Sequence, residues 1–124
     1  MQNDPGITGG WFDVRSQLRG EIRNIWHVDL LEYVSYAYFR VNLGARAVTP
    51  LSVRGTTNSM DIGLYPNFIT TINEWIGASG SVRATAGVNF NIRQILMVIP
   101  GLWSFSPSHI HVVYPDGRIA SSQI

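Results

Sequence analysis

The feature that most constrains this chain is the stretch from Tyr33 to Leu43, in which aromatic and β-branched residues recur with a period of two. The stretch contains neither Gly nor Pro, and Gly44 follows it. A pattern of this kind is typical of a long β-strand. The segments predicted as further strands are, in chain order, 47–54, 60–65, 68–72, 82–86, 88–98, 109–114 and 118–122.

Short clusters of turn-forming residues separate the predicted strands. The clearest is Pro115-Asp116-Gly117, because Asp-Gly readily adopts the positive φ angles of a tight hairpin turn. Gly55-Thr56-Thr57-Asn58 is a second predicted turn. Several short strands at this spacing, without intervening helices, predict a mainly β fold. We expect an antiparallel β-sandwich or a jelly-roll-like barrel.

The residues before Tyr33 follow a different pattern. Residues 1–10 are rich in Gly, Pro and Asn and are predicted to form an arm. Across 11–28 apolar residues recur at spacings of three and four with charged residues between them, which predicts a short amphipathic helix. Gly20 would weaken this helix by about 1 kcal/mol relative to Ala. A strand is the competing interpretation for 20–31.

The length and composition suit one domain whose surface is partly hidden by other copies. A chain of 124 residues supplies one core, so 11–124 is predicted to be a single domain. Apolar residues make up 45% of the chain and charged residues only 14%, which is roughly half the usual share. Such a composition predicts a homo-oligomer. The interface residues predicted on the helix are Val14, Leu18, Ile22 and Ile25.

Charge and cysteine usage argue against several classes of protein. The chain has nine Arg and eight acidic residues and contains no run of basic residues, which gives little support for nucleic-acid binding. The absence of Cys excludes disulfides and thiolate metal sites. The first residues lack the layout of a signal peptide, and no apolar run reaches the ~18 residues of a membrane span. A soluble protein, or a part of a soluble particle, is therefore expected, without membrane insertion.

His109 and His111 form a His-x-His pair on a predicted strand. Alternation places both imidazoles on one face, within reach of one metal ion. Two ligands from one chain are too few, unless a three-fold axis brings three copies together to offer six nitrogens. The other interpretation is a pair of packed or solvated histidines, in which case no cofactor is expected.

Aromatic residues near predicted turns are the candidate binding residues. Tyr65, Trp75, Trp103 and Tyr114 lie beside Gly- or Pro-containing turns, where rings can stack on sugars or anchor a protein interface. Packing into the core is the alternative for each of them. Glu74 beside Trp75 lacks a recognisable second carboxylate, so nothing in the sequence indicates a glycosidase.

Besides a glycosidase, a serine hydrolase is the second enzyme class considered from the sequence. Ser106 or Ser108, His109 and Asp116 could be drawn as a triad, but no nucleophile elbow surrounds these serines. We therefore expect no enzymatic activity.

The C-terminal run Pro107–Ile119 resembles the closing hairpin of bacteriophage tail-fibre and receptor-binding head domains, in which a strand, an Asp-Gly turn and a final Ile-containing strand end the chain. The resemblance implies a stalk helix that trimerises and a β head that binds host glycans. It also implies iron held by His-x-His from three chains, which His109 and His111 match in spacing. The short chain departs from this pattern, which favours other small virion parts such as a capsid decoration protein or a tail adaptor.

The function expected from the sequence is thus that of a virus or phage structural domain in the virion. Such a domain acts by binding to other virion proteins or to a host-surface glycan. It is expected to be a homo-oligomer, with a trimer as the expected form. The alternative is a carbohydrate-binding β-sandwich with Trp75 and Trp103 as stacking platforms. A small hydrolase is the second alternative.

Overall fold

The computed structural model describes residues 10–23, 29–59, 68–94 and 104–124. Every regular element among them is a β-strand, as the period-two pattern predicts. The strands are β1 (Trp11–Arg23), β2 (Asp29–Asn42), β3 (Ala47–Ser59), β4 (Phe68–Ile76), β5 (Ala84–Gln94), β6 (Ser104–Phe105), β7 (Ser108–Val113) and β8 (Ser122–Gln123). In the described ranges no helix is long and apolar enough to cross a membrane.

The strands form two antiparallel sheets. The first sheet has the order β1-β2-β3 and consists of strands that are consecutive in sequence. The second has the order β4-β5-β7-β8, and the short β6 also pairs with β5. The second sheet therefore joins strands from distant parts of the chain.

One apolar core lies between the inner faces of the two sheets. On β2 the odd-numbered residues from Leu31 to Val41 point inward, and on β5 the even-numbered residues from Ala84 to Ile92 do so. The core residues are Ile22, Leu31, Tyr33, Ala37, Phe39, Val41, Val48, Val53, Ala84, Ala86, Val88, Phe90, Ile92 and Val113. Burial of these apolar side chains is the main stabilising contribution.

The helix predicted over 11–28 is wrong for Trp11–Arg23, which forms β1; residues 24–28 lie outside the described residues. The apolar residues Val14, Leu18 and Ile22 are four positions apart, and a spacing of four fits one face of a strand as well as one face of a helix. The charged residues of β1 all occupy odd positions and face outward. The pattern therefore satisfied both periodicities, and pairing with β2 decides for the strand.

Gly20 has a packing role in β1. It lies opposite Tyr33 in the β1–β2 register, and the Tyr33 ring occupies the space that a Cβ atom of residue 20 would take. The absence of a side chain at Gly20 therefore lets Tyr33 cross the inner face of β1.

Two predicted boundaries are corrected. The predicted turn Gly55-Thr56-Thr57-Asn58 lies inside β3, where Gly55 is needed because a Cβ atom there would come within 2.5 Å of Val88 Cγ1. The strands predicted over 82–86 and 88–98 are one strand in the described residues, β5 (Ala84–Gln94), and residues 95–98 lie outside them. The strand predicted over 60–65 lies outside the described residues.

The predicted Pro115-Asp116-Gly117 hairpin turn is confirmed. Gly117 adopts a φ of +90°, and its N–H donates to the Tyr114 carbonyl at 2.8 Å. Pairing resumes beyond the turn between Val113 and Ile119.

The substitution Gly20→Ala distinguishes the strand from a helix by the sign of its effect. In a helix it would stabilise the chain by about 1 kcal/mol. In β1 the new methyl group meets the Tyr33 ring, so we expect the free energy of unfolding to fall by about 1–3 kcal/mol. Urea denaturation measures the change.

The matched control for this substitution is Gln17→Ala, on the exposed face of the same strand. It is expected to change the free energy of unfolding by no more than about 0.5 kcal/mol. A Gly20→Ala protein as stable as the unsubstituted chain would contradict the packing described for Tyr33.

Candidate functional site

One end of the two sheets carries a groove of about 560 Å³ between three connecting segments. The segments are the β2–β3 turn, the β4–β5 connection and the β7 hairpin turn. The residues that line this groove, called the apical groove below, are Leu43, Arg46, Ser81, Val82, Tyr114, Pro115, Asp116 and Arg118.

Backbone hydrogen bonds hold the walls of the apical groove in place. Val48 and Gly80 exchange two N–H···O bonds of 3.0 Å, which attach the β4–β5 connection to the start of β3. The Leu43 N–H donates to the Gly10 carbonyl at 2.9 Å, which fixes the β2–β3 turn beside the start of β1. Arg46 completes this turn with a φ of +52°. The groove is therefore built on strand ends.

The apical groove combines apolar surface with a few polar groups. Val82 is 68% exposed and Leu43 52% exposed, so the groove offers apolar surface to a ligand. The Arg118 guanidinium lies 4.5 Å from the centroid of the Tyr114 ring, at cation–π distance. Asp116 accepts the backbone N–H of Arg118 at 2.9 Å, so its carboxylate is part of the turn. This chemistry suits binding of a partly apolar ligand that also carries polar groups.

The two predicted binding aromatics that the structure describes, Trp75 and Tyr114, do not come together. Tyr114 lines the apical groove, whereas Trp75 lies across Gly87 on the outer face of the second sheet and lines a separate, shallower depression of about 300 Å³. Tyr65 and Trp103 lie outside the described residues.

The residues predicted to contact other copies through a helix lie on β1 instead. Ile22 belongs to the core, Val14 packs against it, and Leu18 is half-buried on the same inner face. Their side chains face the second sheet of their own chain, so the helical interface is wrong. Ile25 lies outside the described residues.

His109 and His111 are both fully buried on the inner face of β7. The hydroxyl of Ser35 lies between them, 2.6 Å from His109 Nδ1 and 2.7 Å from His111 Nε2. Ser16 Oγ is 2.7 Å from the remaining nitrogen of His111, Nδ1. Both sheets are therefore joined through polar side chains in the middle of the core.

The hydrogen bonds continue to the last strand. Gln123 Oε1 lies 3.0 Å from His109 Nε2, and Gln123 Nε2 donates to the Tyr33 hydroxyl at 2.9 Å. Ser121 Oγ is 2.6 Å from Ser16 Oγ. The serine–histidine network is the set of these side chains: Ser16, Tyr33, Ser35, His109, His111, Ser121 and Gln123.

The orientation of Gln123 fixes every proton between the two histidines. Its carbonyl oxygen only accepts, so His109 carries its proton on Nε2 and accepts at Nδ1 from Ser35. Since the Ser35 proton is used there, His111 Nε2 donates to Ser35 Oγ. His111 Nδ1 then accepts from Ser16. All four ring nitrogens are satisfied while both rings are neutral.

The surroundings of the histidines favour the neutral rings. Burial lowers the pKa of His111 to about 4, and the neighbouring His109 lowers it as well. Burial also lowers the pKa of His109, while its hydrogen bond to Gln123 acts in the opposite direction. A proton added to His109 would go to Nδ1, and Ser35 would then receive two donors and have no acceptor for its own hydrogen. A proton added to His111 would go to Nδ1 and break the hydrogen bond that Ser16 donates there.

The position of the two histidines does not fit the predicted metal site on a three-fold axis. Both rings lie inside one chain with their nitrogens already hydrogen bonded, so copies of the chain cannot share an ion through them. Across the described ranges, no group of three or more His, Cys, Asp or Glu side chains is placed to hold a metal ion. These histidines organise the core.

Two serines at inward-facing strand positions are the sequence signal for this network, and the pattern of apolar residues alone does not reveal it. Ser16 and Ser35 occupy inward positions between apolar residues of β1 and β2. A polar side chain at such a position needs a buried partner, because an unpaired buried hydroxyl is costly. The partners, His109 and His111, are far away in sequence, and only the fold reveals them.

Comparison of the chain with protein-family models, curated proteins and solved structures finds no match. The function of the apical groove therefore has to be inferred from its own chemistry.

The serine–histidine network predicts a loss of stability in acid. A folded-state pKa below the value of about 6.5 in the unfolded chain means that the unfolded chain binds more protons. The free energy of unfolding is then at its full value above about pH 6.5 and falls as the pH decreases to about 4. We expect His111 alone to contribute a loss of about 3 kcal/mol, measured by urea denaturation across this range.

The control is His111→Gln, which removes the titrating ring and keeps a hydrogen-bonding side chain. The slope of its unfolding free energy against pH should be smaller by about one proton in the same range. An unchanged slope would show that His111 does not titrate differently in the folded and unfolded states.

Proposed function

We propose that this chain is a non-catalytic β-sandwich domain that serves as a structural component of a virus or phage particle and works by binding. In this proposal its two antiparallel sheets are the layers of the sandwich, and copies of the chain associate with each other. The observation that carries it is the apical groove, where large apolar side chains stand exposed on a rigid frame of strand ends.

The exposure of apolar side chains extends beyond the groove. Trp11 is 59% exposed at the start of β1, and the Arg40 guanidinium lies 4.0 Å from its ring centroid. Phe12 reaches the Gly117 turn, since a Cβ atom at Gly117 would come within 2.9 Å of its ring. Together with a charged fraction of only 14%, these side chains favour a surface that a protein partner covers. Other virion proteins are the partners we propose.

The buried hydroxyls support a non-catalytic role. Ser35 and Ser16 lie within hydrogen-bond distance of imidazole nitrogens, as a nucleophile would, but they are 0% and 2% exposed. A substrate cannot reach them in this packing. His109 is turned away from Asp116, whose carboxylate belongs to the hairpin turn, so the triad drawn from the sequence is not formed.

Glu74, the acid beside Trp75, also has a structural partner. Its carboxylate accepts the backbone N–H of Gly55 at 2.8 Å and joins the edges of β4 and β3. This contact gives the Glu74 carboxylate a structural role between the two sheets.

A second candidate function is binding of a glycan, either on a host surface or by a free carbohydrate-binding module. The specific observation is the Tyr114 ring in the apical groove, with the Arg118 guanidinium stacked on it. Aromatic rings bind the apolar faces of sugars, and guanidinium groups donate to hydroxyls or carboxylates.

The oligomeric state tests the main proposal. We expect sedimentation velocity at micromolar concentration to show a homo-oligomer, because the chain exposes large apolar side chains and carries few charges. The resemblance to fibre heads implies a trimer, whereas Trp11–Arg23 forms a strand and both histidines of the His-x-His pair are buried within one chain. A protein that remains strictly monomeric at all accessible concentrations would contradict association between copies.

A glycan array tests the second candidate. We expect any glycan bound by the chain to be lost or weakened at least about tenfold by Tyr114→Ala, because the stacking ring is removed. Tyr36→Ala is the matched control, since Tyr36 lies on the outer face of the first sheet and not in the groove. Equal effects of the two substitutions would place the glycan elsewhere.

A further inference from the structure

Within the part of the chain that the structure describes, strand β1 is a long sheet edge that no other segment covers. It spans Trp11–Arg23 without a Pro and pairs on one side only, with β2. Within the described residues its outer side makes no backbone hydrogen bond to another segment. Free edges of this length invite pairing with another strand.

The other edges of the two sheets are shorter or covered. Strand β3 contains Pro50 and a register shift, and the Gly55 N–H is taken up by Glu74 of the neighbouring β4. Strand β8 has only two residues. Strand β4, the other edge of the second sheet, has nine residues and is attached to β3 through Glu74. The outer edge of β1 is therefore the longest edge of the described sheets with neither a Pro nor a hydrogen bond that attaches it to a neighbouring segment.

The charges on the outer face of β1 are arranged for pairing with a copy of itself. Consider an antiparallel pair of β1 strands related by a two-fold axis at Leu18. Asp13 then lies opposite Arg23 of the second copy, and Arg15 lies opposite Glu21 of the second copy. The two-fold axis repeats both contacts. Every charged residue of β1 except Arg19 then lies opposite a residue of opposite charge in the second copy, and Arg19 lies opposite Gln17.

Neighbouring registers bring like charges together or pair fewer charges. With the axis at Gln17, Arg15 faces Arg19 and Asp13 faces Glu21. With the axis at Arg19, this residue faces itself and Arg15 faces Arg23. Like charges directly opposite each other destabilise a strand pair.

The axis at Ser16 brings Asp13 opposite Arg19 but places no charge of the second copy opposite Glu21 or Arg23. The axis at Gly20 pairs only Arg19 with Glu21. Among the registers that keep the inner faces together, the axis at Leu18 therefore satisfies the most charges.

The inner face of β1 agrees with this register. Val14 would lie opposite Ile22 of the second copy, and Leu18 opposite Leu18. Within one chain Arg15 contacts Gln17 and the Tyr36 ring and forms no ion pair with any described residue. Pairing would give Arg15 the carboxylate that it lacks.

We propose that β1 pairs with β1 of a second copy around a two-fold axis at Leu18, which joins two three-stranded sheets into one of six strands. The inference rests on the proposed association between copies and names the surface responsible. It identifies the second copy of this chain as the partner of the free edge.

Complementary charge reversals test the register. Arg15→Glu places two acidic residues opposite each other, and Glu21→Arg does the same with two basic residues, so each variant alone should dimerise about tenfold or more weakly than the unsubstituted chain. Mixing the two variants restores opposite charges at both positions, and sedimentation of the mixture should show a dimer of one copy of each. Arg54→Glu, the same charge reversal on the exposed face of β3, is the matched control and should dimerise normally.

Three outcomes decide the inference. Weakened single variants with recovery in the mixture support it. Association that both β1 reversals leave unchanged overturns the β1 edge while the association between copies stands, whereas an unsubstituted chain that is always monomeric overturns both proposals. If a reversal prevents folding, hydrogen exchange of the unsubstituted chain decides, because the β1 amides must become more protected as the protein concentration rises.

Discussion

The structure depends on two neutral imidazoles held between the sheets. His109 and His111 take the place of apolar core residues on β7, and Ser35 satisfies both of them with one hydroxyl. A buried polar group stabilises a fold only when all of its hydrogen bonds are made. Because the partners come from β1, β2 and the last strand, the network fixes how these strands are placed relative to each other, which the non-directional apolar core does not do.

The ends and the faces of the domain have different roles. The network and the surrounding apolar side chains fix the sheets, the connecting segments at one end form the apical groove, and the outer face of the first sheet carries paired charges such as Asp13 with Arg40 at 2.9 Å. Surface ion pairs of this kind contribute little to stability. The charges on β1 instead determine which strand can pair with β1, because charges that lie opposite each other select the partner strand and its register.

The sequence predicted the strands better than it predicted the site. The alternation after Tyr33 and the Pro115-Asp116-Gly117 turn are local signals, and local chemistry determines both structures. The spacing of Val14, Leu18 and Ile22 suits a helix and a strand alike, so only the pairing with β2 could decide between them. The partners of His109 lie in distant strands, and burial between two sheets cannot be seen in a His-x-His motif, which is why the sequence alone left packed histidines and a metal site both open.

The network also has a consequence for the order of folding. The first sheet is made of hairpins between neighbouring segments, which form quickly because their loops are short. Ser16 meets Ser121 across 105 positions of the chain, so its hydroxyl gains its protein partners only when the second sheet has docked. An early three-stranded intermediate would thus carry serine hydroxyls without protein partners on its apolar face. Those groups disfavour burial against any surface that lacks the matching imidazoles, and they select the correct docking of the late strands over a random collapse.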